Sequence, residues 1–176
     1  MNCDPNRLSL ESAFSQGAEI NGENLIINIS GAIAVHSTKV GGNNIRFDNM
    51  TLTFEKFRLV SVFILTRRVL DFKSKSPKEV KGRKLYKSEI EDFTNRLITE
   101  EWDIMSFEFS DKKDECKAAG KIAISLVFSG NGDMFTVNIS CDNLTVEAAG
   151  EGEIIPKEKF SVLEKITKFV KGKNSR

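Results

Sequence analysis

The chain reads as an α+β domain: a curved antiparallel β-sheet of about six or seven strands, one central helix and a C-terminal amphipathic helix. Three observations predict this. Apolar residues alternate with polar or small ones through most of the sequence, the period of half-buried strands. Only two stretches switch to helical spacing. Clusters of Gly with Asn or Asp, which tolerate positive φ, punctuate the strands at short intervals.

Taken in order, residues 1–7 read as a loose tail and 8–16 (LSLESAFSQ) as a short helix or edge strand. From Asn24 the alternation is clear in Leu25, Ile27, Ile29, Ile33 and Val35, and it ends at the turn Gly41-Gly42-Asn43-Asn44. A second strand carries Ile45, Phe47, Met50, Leu52 and Phe54. The third, FRLVSVFIL (57–65), is apolar on both faces and is expected to lie centrally, packed on each side. Lys73–Lys84 reads as an exposed loop. Tyr86, Ile90, Phe93 and Leu97 then recur at helical spacing, which predicts a helix over 87–98, with Ser88 and Glu91 as its capping box. Strand periodicity returns with Met105, Phe107 and Phe109, and Asp111–Glu115 forms a charged turn. Two further strands carry Ile122, Ile124, Leu126 and Phe128, then Phe135, Val137 and Ile139, joined by the hairpin signal Gly130-Asn131-Gly132-Asp133. After Pro156 a helix is expected over 157–171, its stripe being Val162, Leu163, Ile166, Phe169 and Val170. Residues 8–171 thus form a single domain, and 172–176 a basic tail.

Part of the chain is duplicated. Gly31-Ala32-Ile33-Ala34-Val35 matches Gly120-Lys121-Ile122-Ala123-Ile124, and Phe47-Asp48-Asn49-Met50-Thr51-Leu52 matches Cys141-Asp142-Asn143-Leu144-Thr145-Val146. In both copies the apolar residues change parity across the Asp-Asn step. A strand that changes face needs an extra residue, so β-bulges are expected at Asp48-Asn49 and Asp142-Asn143.

Composition narrows the function. At 176 residues the chain buries a core without needing metal or disulfide. Its net charge of +1 gives no global case for nucleic acid. Cys3, Cys116 and Cys141 are odd in number and widely spaced, which suits incidental thiols or a reducing compartment. No apolar run is long enough for a membrane span. MNCDPNRLSL lacks the features of a signal peptide, so the expected location is cytoplasmic or peripheral to a membrane, export requiring a signal already removed. The single histidine, His36, cannot build a multi-histidine metal site; a Cys–His pair is formally open, but a surface histidine is the simpler reading. Glu100, Glu101 and Asp103 offer carboxylates for acid–base work, though such groups at a helix-to-strand connection are usually solvated. Gly41-Gly42 lacks the helix and lysine of a phosphate cradle. The reading is therefore non-enzymatic, with no catalytic residues, no metal and no cofactor. Asn28, Asn49, Asn138 and Asn143 head N-x-S/T triplets, but all fall in or beside strands, where they fill the water-facing alternation.

Charge is segregated. Arg67 to Lys87 holds nine Lys/Arg against Asp71 and Glu79, while Ser88 to Glu115 holds ten Asp/Glu against three bases. From Lys157 seven Lys/Arg face Glu158 and Glu164. Such blocks form solvated faces or meet an anionic membrane surface, and a basic helix with an apolar stripe can lie in a bilayer interface. The residues marked for anionic contact are Arg67, Arg68, Lys165, Lys168 and Lys171.

The stretch IRFDNMTLTFEKFRLVSVFILTRRVLDFKSKSPKEVKGRKLYKSEIEDFTNRLI resembles a bacterial family of uncharacterised or phospholipid-binding proteins with a tubular lipid-binding (TULIP-like) fold. That family opens a helix with Leu-Thr-Glu-x-Asp-Leu/Ile-Asn; here Leu85 and Ile90 match, Glu89 is a conservative replacement, and the other positions differ. The resemblance spans roughly residues 20–150, through element order more than identity. It implies a curved sheet wrapped around helix, with an apolar groove that holds acyl chains by burial, at about 0.8 kcal/mol per CH₂.

Thirteen Phe against one Tyr and one Trp suit either a dry core or such a groove. The groove residues expected are Phe57, Leu59, Phe63, Leu65, Phe93, Leu97, Phe107 and Phe109. The function expected is non-catalytic binding of a lipid or other apolar small molecule, with peripheral membrane association and no nucleic acid. The alternative is a protein–protein or assembly module that uses a sheet edge or the C-terminal helix.

Overall fold

The computed structural model describes residues 1–10, 13–35, 43–66, 82–109 and 120–156. His36, Cys116, Arg67, Arg68, most of the 73–84 loop, the 111–115 turn, the 157–171 helix with its lysines and the 172–176 tail lie outside the described residues.

Chain order runs from a 3-10 turn (Pro5–Arg7) through β1 (Leu8–Ser9), β2 (Ala13–Asn21), β3 (Asn24–Ser30), β4 (Ala32–Ala34), β5 (Asn44–Phe47), β6 (Asn49–Glu55) and β7 (Arg58–Thr66). It continues with β8 (Gly82–Lys84), α1 (Lys87–Thr99), β9 (Trp102–Phe109), β10 (Ile122–Gly130), β11 (Asp133–Cys141), β12 (Asn143–Ala149) and β13 (Glu153–Ile155). The α+β, sheet-dominated architecture holds, but among the described residues the strands number thirteen in two sheets rather than six or seven. Three causes account for the excess. Long strands are broken by kinks at Gly31, Asp48 and Asp142, residues 13–21 form a strand that alternation does not reveal, and short strands form at Leu8–Ser9, Gly82–Lys84 and Glu153–Ile155, the second of them within the expected 73–84 loop. In that strand, β2, the register against β3 shifts between Ser15 and Ala18, so Gln16-Gly17 interrupts the period.

The larger sheet has the order β12-β6-β3-β2-β9-β10-β11-β7-β8, and every pairing is antiparallel. It closes on itself. β12 follows β11 across one residue, β7 follows β6 across two, and β12 pairs with β6 while β11 pairs with β7. The β11–β12 and β6–β7 runs therefore form one continuous ribbon that joins the two ends of the sheet around a single core. The smaller sheet, β1-β4-β5-β13, continues β3, β6 and β12 beyond their kinks.

The kinks correct the expected bulges. Between the pairs Ile29–Met50 and Ala32–Phe47 lie two residues on each strand, and the same holds between Ser140–Arg58 and Asn143–Glu55. No extra residue is inserted at Asp48-Asn49 or Asp142-Asn143. The change of face is made by bends on both partners at once: Gly31 opposite Asp48 has φ +80°, and Lys56 opposite Asp142 has φ +46°. True register shifts fall elsewhere, at Val60 in β7 and Met105 in β9. Both extra residues are exposed (56% and 51%), which explains two large apolar side chains facing water and corrects the expectation that 57–65 is covered on both sides.

The duplicated segments occupy equivalent places. β6 and β12 pair antiparallel about Leu52–Val146, which are matching positions of the two copies, so a local two-fold passes through that pair. The strand after each then crosses over: β7 pairs with β11 of the second copy, and β13 pairs with β5 of the first. The Gly31–Val35 match is one residue out of structural register, because Ile33 pairs with Arg46 whereas Ile122 pairs with Cys141.

Helix α1 seals one part of the core. Its N-cap is Tyr86, whose N–H donates to the Glu89 carboxylate at 2.8 Å, so the cap lies two residues before the expected Ser88. Phe93 and Leu97 are buried, and the Phe93 ring lies 4.9 Å from that of Phe135, which meets Trp102 edge-on at 5.5 Å. Arg96 stacks over Trp102 and Phe135 while bonding Glu100 and Asp133, tying the helix to the β10–β11 hairpin.

Candidate apolar binding site

Strand alternation places the inward side chains of β9, β10, β11 and β7 in rows across the sheet. One row runs Phe107–Leu126–Val137–Val62 and the next Phe109–Ile124–Ile139–Leu59. A third begins with Ile122 and Cys141. The middle of each row is sealed, with Ile124, Leu126 and Val137 at 0% exposure. The flanks are not: Phe107, Phe109, Leu59, Phe57 and Ile122 are partly buried and packed against the core. Phe109 and Leu59 stand three strand spacings apart, about 14 Å of backbone. The Phe107 and Phe109 rings touch edge-to-face at 5.4 Å.

Four of the expected groove residues, Phe57, Leu59, Phe107 and Phe109, thus share this apolar floor. Three others do not. Phe93 and Leu97 are inner-face residues of α1 and belong to the sealed core. Phe63 pairs with Thr136, one position off the Val62 row, so it stands on the opposite face of β7; the unbroken apolar run from Val62 to Leu65 conceals which face is which. Leu65 lies in β7 opposite Met134, and its side chain is outside the description. Ile122 was missed as a floor residue although its alternation with Ile124 signals it.

Polar groups border the floor. Asp142 accepts from Lys56 and Lys121, each at 3.3 Å, and these two ammonium groups hold its carboxyl below the usual range. The counterparts beside Asp48 are Gly31 and Gly150, with φ +80° and +83°, so the lysine pair exists in one copy only. Burial, then the charges of Asp142 and Glu55, push the Cys141 thiol up to about 11. A neutral, buried thiol is a poor nucleophile.

The other sequence candidates resolve into structure. Glu100 is held by Arg96 at 2.9 Å and by the Asn131 side chain at 3.0 Å, which marks it as a helix-end tie. Asn138 donates to the Ser61 hydroxyl, Asn143 donates to Glu55, and Asn28 accepts from Thr51, all cross-strand contacts. Among the described residues no group of three or more His, Cys, Asp or Glu is placed to hold a metal ion. No described helix is long and apolar enough to cross a membrane. Comparison with family models, with curated proteins and with solved structures finds no match.

Proposed function

We propose that this protein binds a lipid or other apolar small molecule without transforming it, and that it does so at a membrane periphery. One observation carries the reading: the Phe107–Phe109 and Phe57–Leu59 flanks remain partly open to solvent on a floor whose centre is dry. An acyl chain laid on those flanks gains about 0.8 kcal/mol per buried CH₂. The likeness to tubular lipid-binding proteins, drawn from element order, supports the same reading. Arg67, Arg68, Lys165, Lys168 and Lys171 are assigned to the anionic surface.

The strand-addition alternative has less support. The long edge of β12 is taken by the N-terminus: Cys3 N–H donates to Val146 O, Ala148 N–H to Met1 O, and the Met1 ammonium to Ala148 O. Among the described residues the other terminal strands of the two sheets, β1, β8 and β13, have two or three residues each, too short to template a partner strand well, and β7 is left uncovered by β8 only along Arg58–Ser61.

Organic extraction and native mass spectrometry of the purified chain test the ligand. The expected result is a bound lipid, or uptake of added fatty acid, weakened several-fold by Phe109→Ala and Leu59→Ala. Protein that yields no lipid and takes up none ends the proposal. Flotation with anionic vesicles tests the surface: reversing Arg67, Arg68, Lys165, Lys168 and Lys171 to Glu is expected to abolish it.

A further inference from the structure

We infer that Lys56 and Lys121 receive the carboxylate of a fatty acid whose chain lies on the apolar floor. The inference rests on the binding reading above and gives it a ligand class. The first observation is where the two lysines stand. The last pair of β7 with β11 is Arg58–Ser140, and pairing resumes as Glu55–Asn143, so Phe57 falls opposite Cys141 and Lys56 opposite Asp142. Across β11, Ile122 pairs with Cys141, which sets Lys121 level with Asp142. The third apolar row is therefore Ile122–Cys141–Phe57, and the row next to it reads Lys121–Asp142–Lys56: cation, anion, cation. The three apolar rows span about 14 Å along the strands and end at this charged row. Cys141, sealed at the centre of the last row, feels the charges of Asp142, Glu55 and Lys121.

The second observation is the chemistry of the pair. Asp142 already shows what it holds: Lys121 reaches one carboxylate oxygen and Lys56 the other, each at 3.3 Å. One carboxylate between two ammonium groups leaves a net charge of +1, which suits a second monoanion. Glu55, also nearby, is engaged by the Asn143 amide at 3.1 Å. The Lys56 side chain is 65% exposed, so its ion pair is weakly held and is readily shared with an incoming anion.

The third is the comparison that the duplication supplies. Around Asp48, in the first copy, Gly31 and Gly150 stand where Lys121 and Lys56 stand around Asp142. The bend is therefore made without lysines there, and the apolar neighbours of that kink, Ala32 and Phe47, are buried. In the second copy the kink adjoins the partly open floor, and a lysine is kept at φ +46° where its twin is a relaxed glycine. A strained position held against the easier residue points to the side chain, not the bend, as what is needed.

Isothermal titration of the full chain with decanoate and with decanol, equal in chain length and different in charge, tests this. Decanoate is expected to bind about tenfold tighter than decanol at neutral pH, the worth of one charge-assisted bond. Lys56→Gly and Lys121→Gln should each weaken decanoate several-fold and leave decanol unmoved. Lys87→Gln, which removes an exposed lysine of α1, should change neither. Asp142→Asn should tighten decanoate, a gain that structural damage does not produce. If neither compound binds, the apolar site itself falls and the assignment with it. If both bind the parent equally, the floor stands and the lysine pair is not its head-group site. Decanoate affinity untouched by the two lysine variants, or lowered as much by Lys87→Gln, would also overturn the assignment. Decyl phosphate binding tighter than decanoate would overturn the carboxylate class.

Discussion

At the scale of single residues, two positions carry more than their surroundings suggest. Lys56 sits at φ +46°, a left-handed conformation forced by the kink opposite Asp142, and its ammonium reaches that carboxylate. The exposed ion pair contributes at most about 1 kcal/mol. Glycine removes the backbone strain and loses only the pair, whereas a β-branched side chain makes the strain worse. Lys56→Gly is therefore expected to stay within about 1 kcal/mol of the parent, and Lys56→Val to fall about 2 kcal/mol below it, by urea denaturation. Equal losses in the two variants would mean that the strain is not stored there. Glu89 is the second. Bonds from Arg83 and from the Tyr86 N–H lower its carboxyl to about 2, against 4.5 in the unfolded chain. The unfolded state thus takes up the proton first as pH falls. The stability this group contributes is present above about 4.5 and is lost as pH drops through 2. Melting temperatures of the parent and Glu89→Gln should differ at neutral pH and converge by about pH 2; a gap that persists there would place the effect elsewhere.

Among the elements, the helix and hairpins were legible because each follows one period. Ile90, Phe93 and Leu97 recur as a helix demands, and Gly130-Asn131-Gly132-Asp133 lies at a hairpin turn with Asn131 and Gly132 at positive φ. The elements that failed did so where the period breaks. Residues 13–21 hide a strand behind the Gln16-Gly17 irregularity. The parity change at Asp48 and Asp142 was legible, but its mechanism was not: alternation in one strand cannot show that the opposite strand bends too. The same limit divided the candidate site. Phe107, Phe109 and Leu59 were recoverable from alternation, whereas Phe63 lies in a run with no polar residue beside it, and a bulge at Val60 resets its face. The Arg96 clamp was invisible, because its partners Glu100, Asp133 and Trp102 converge only in three dimensions. That clamp makes a prediction for α1. Arg96→Leu keeps the helix but takes the guanidinium from Asp133 and Glu100, leaving Glu100 only the Asn131 amide, and uncovers the Trp102 ring. The expected cost is about 1–3 kcal/mol, with Trp102 fluorescence shifted toward that of an exposed indole. An unshifted spectrum would show that the indole is buried by the sheet alone.

For the molecule as a whole, closure through the β6–β7 and β11–β12 ribbon has a thermodynamic consequence. Leu52 and Val146 lie on the local two-fold, fully buried, in the half of the sheet away from α1, while Trp102 and Phe135 lie beneath the helix. If the halves were separable units, damage at Leu52 would leave the surroundings of Trp102 intact. The ribbon argues against that, since each of its strands runs through both halves and pairs along both. Deleting the buried Leu52 side chain costs about 2–5 kcal/mol by transfer and cavity terms. In a closed, cooperative sheet that whole cost is felt by a distant reporter. Because Trp102 is the only tryptophan, its fluorescence follows one end of the molecule alone. Leu52→Ala is therefore expected to lower the denaturation midpoint seen by Trp102 as much as the midpoint seen by far-ultraviolet circular dichroism, with one transition in each. A Trp102 midpoint that stays at the parent value while the dichroism shifts would mean that the two ends unfold separately, and that the ribbon is a hinge rather than a weld.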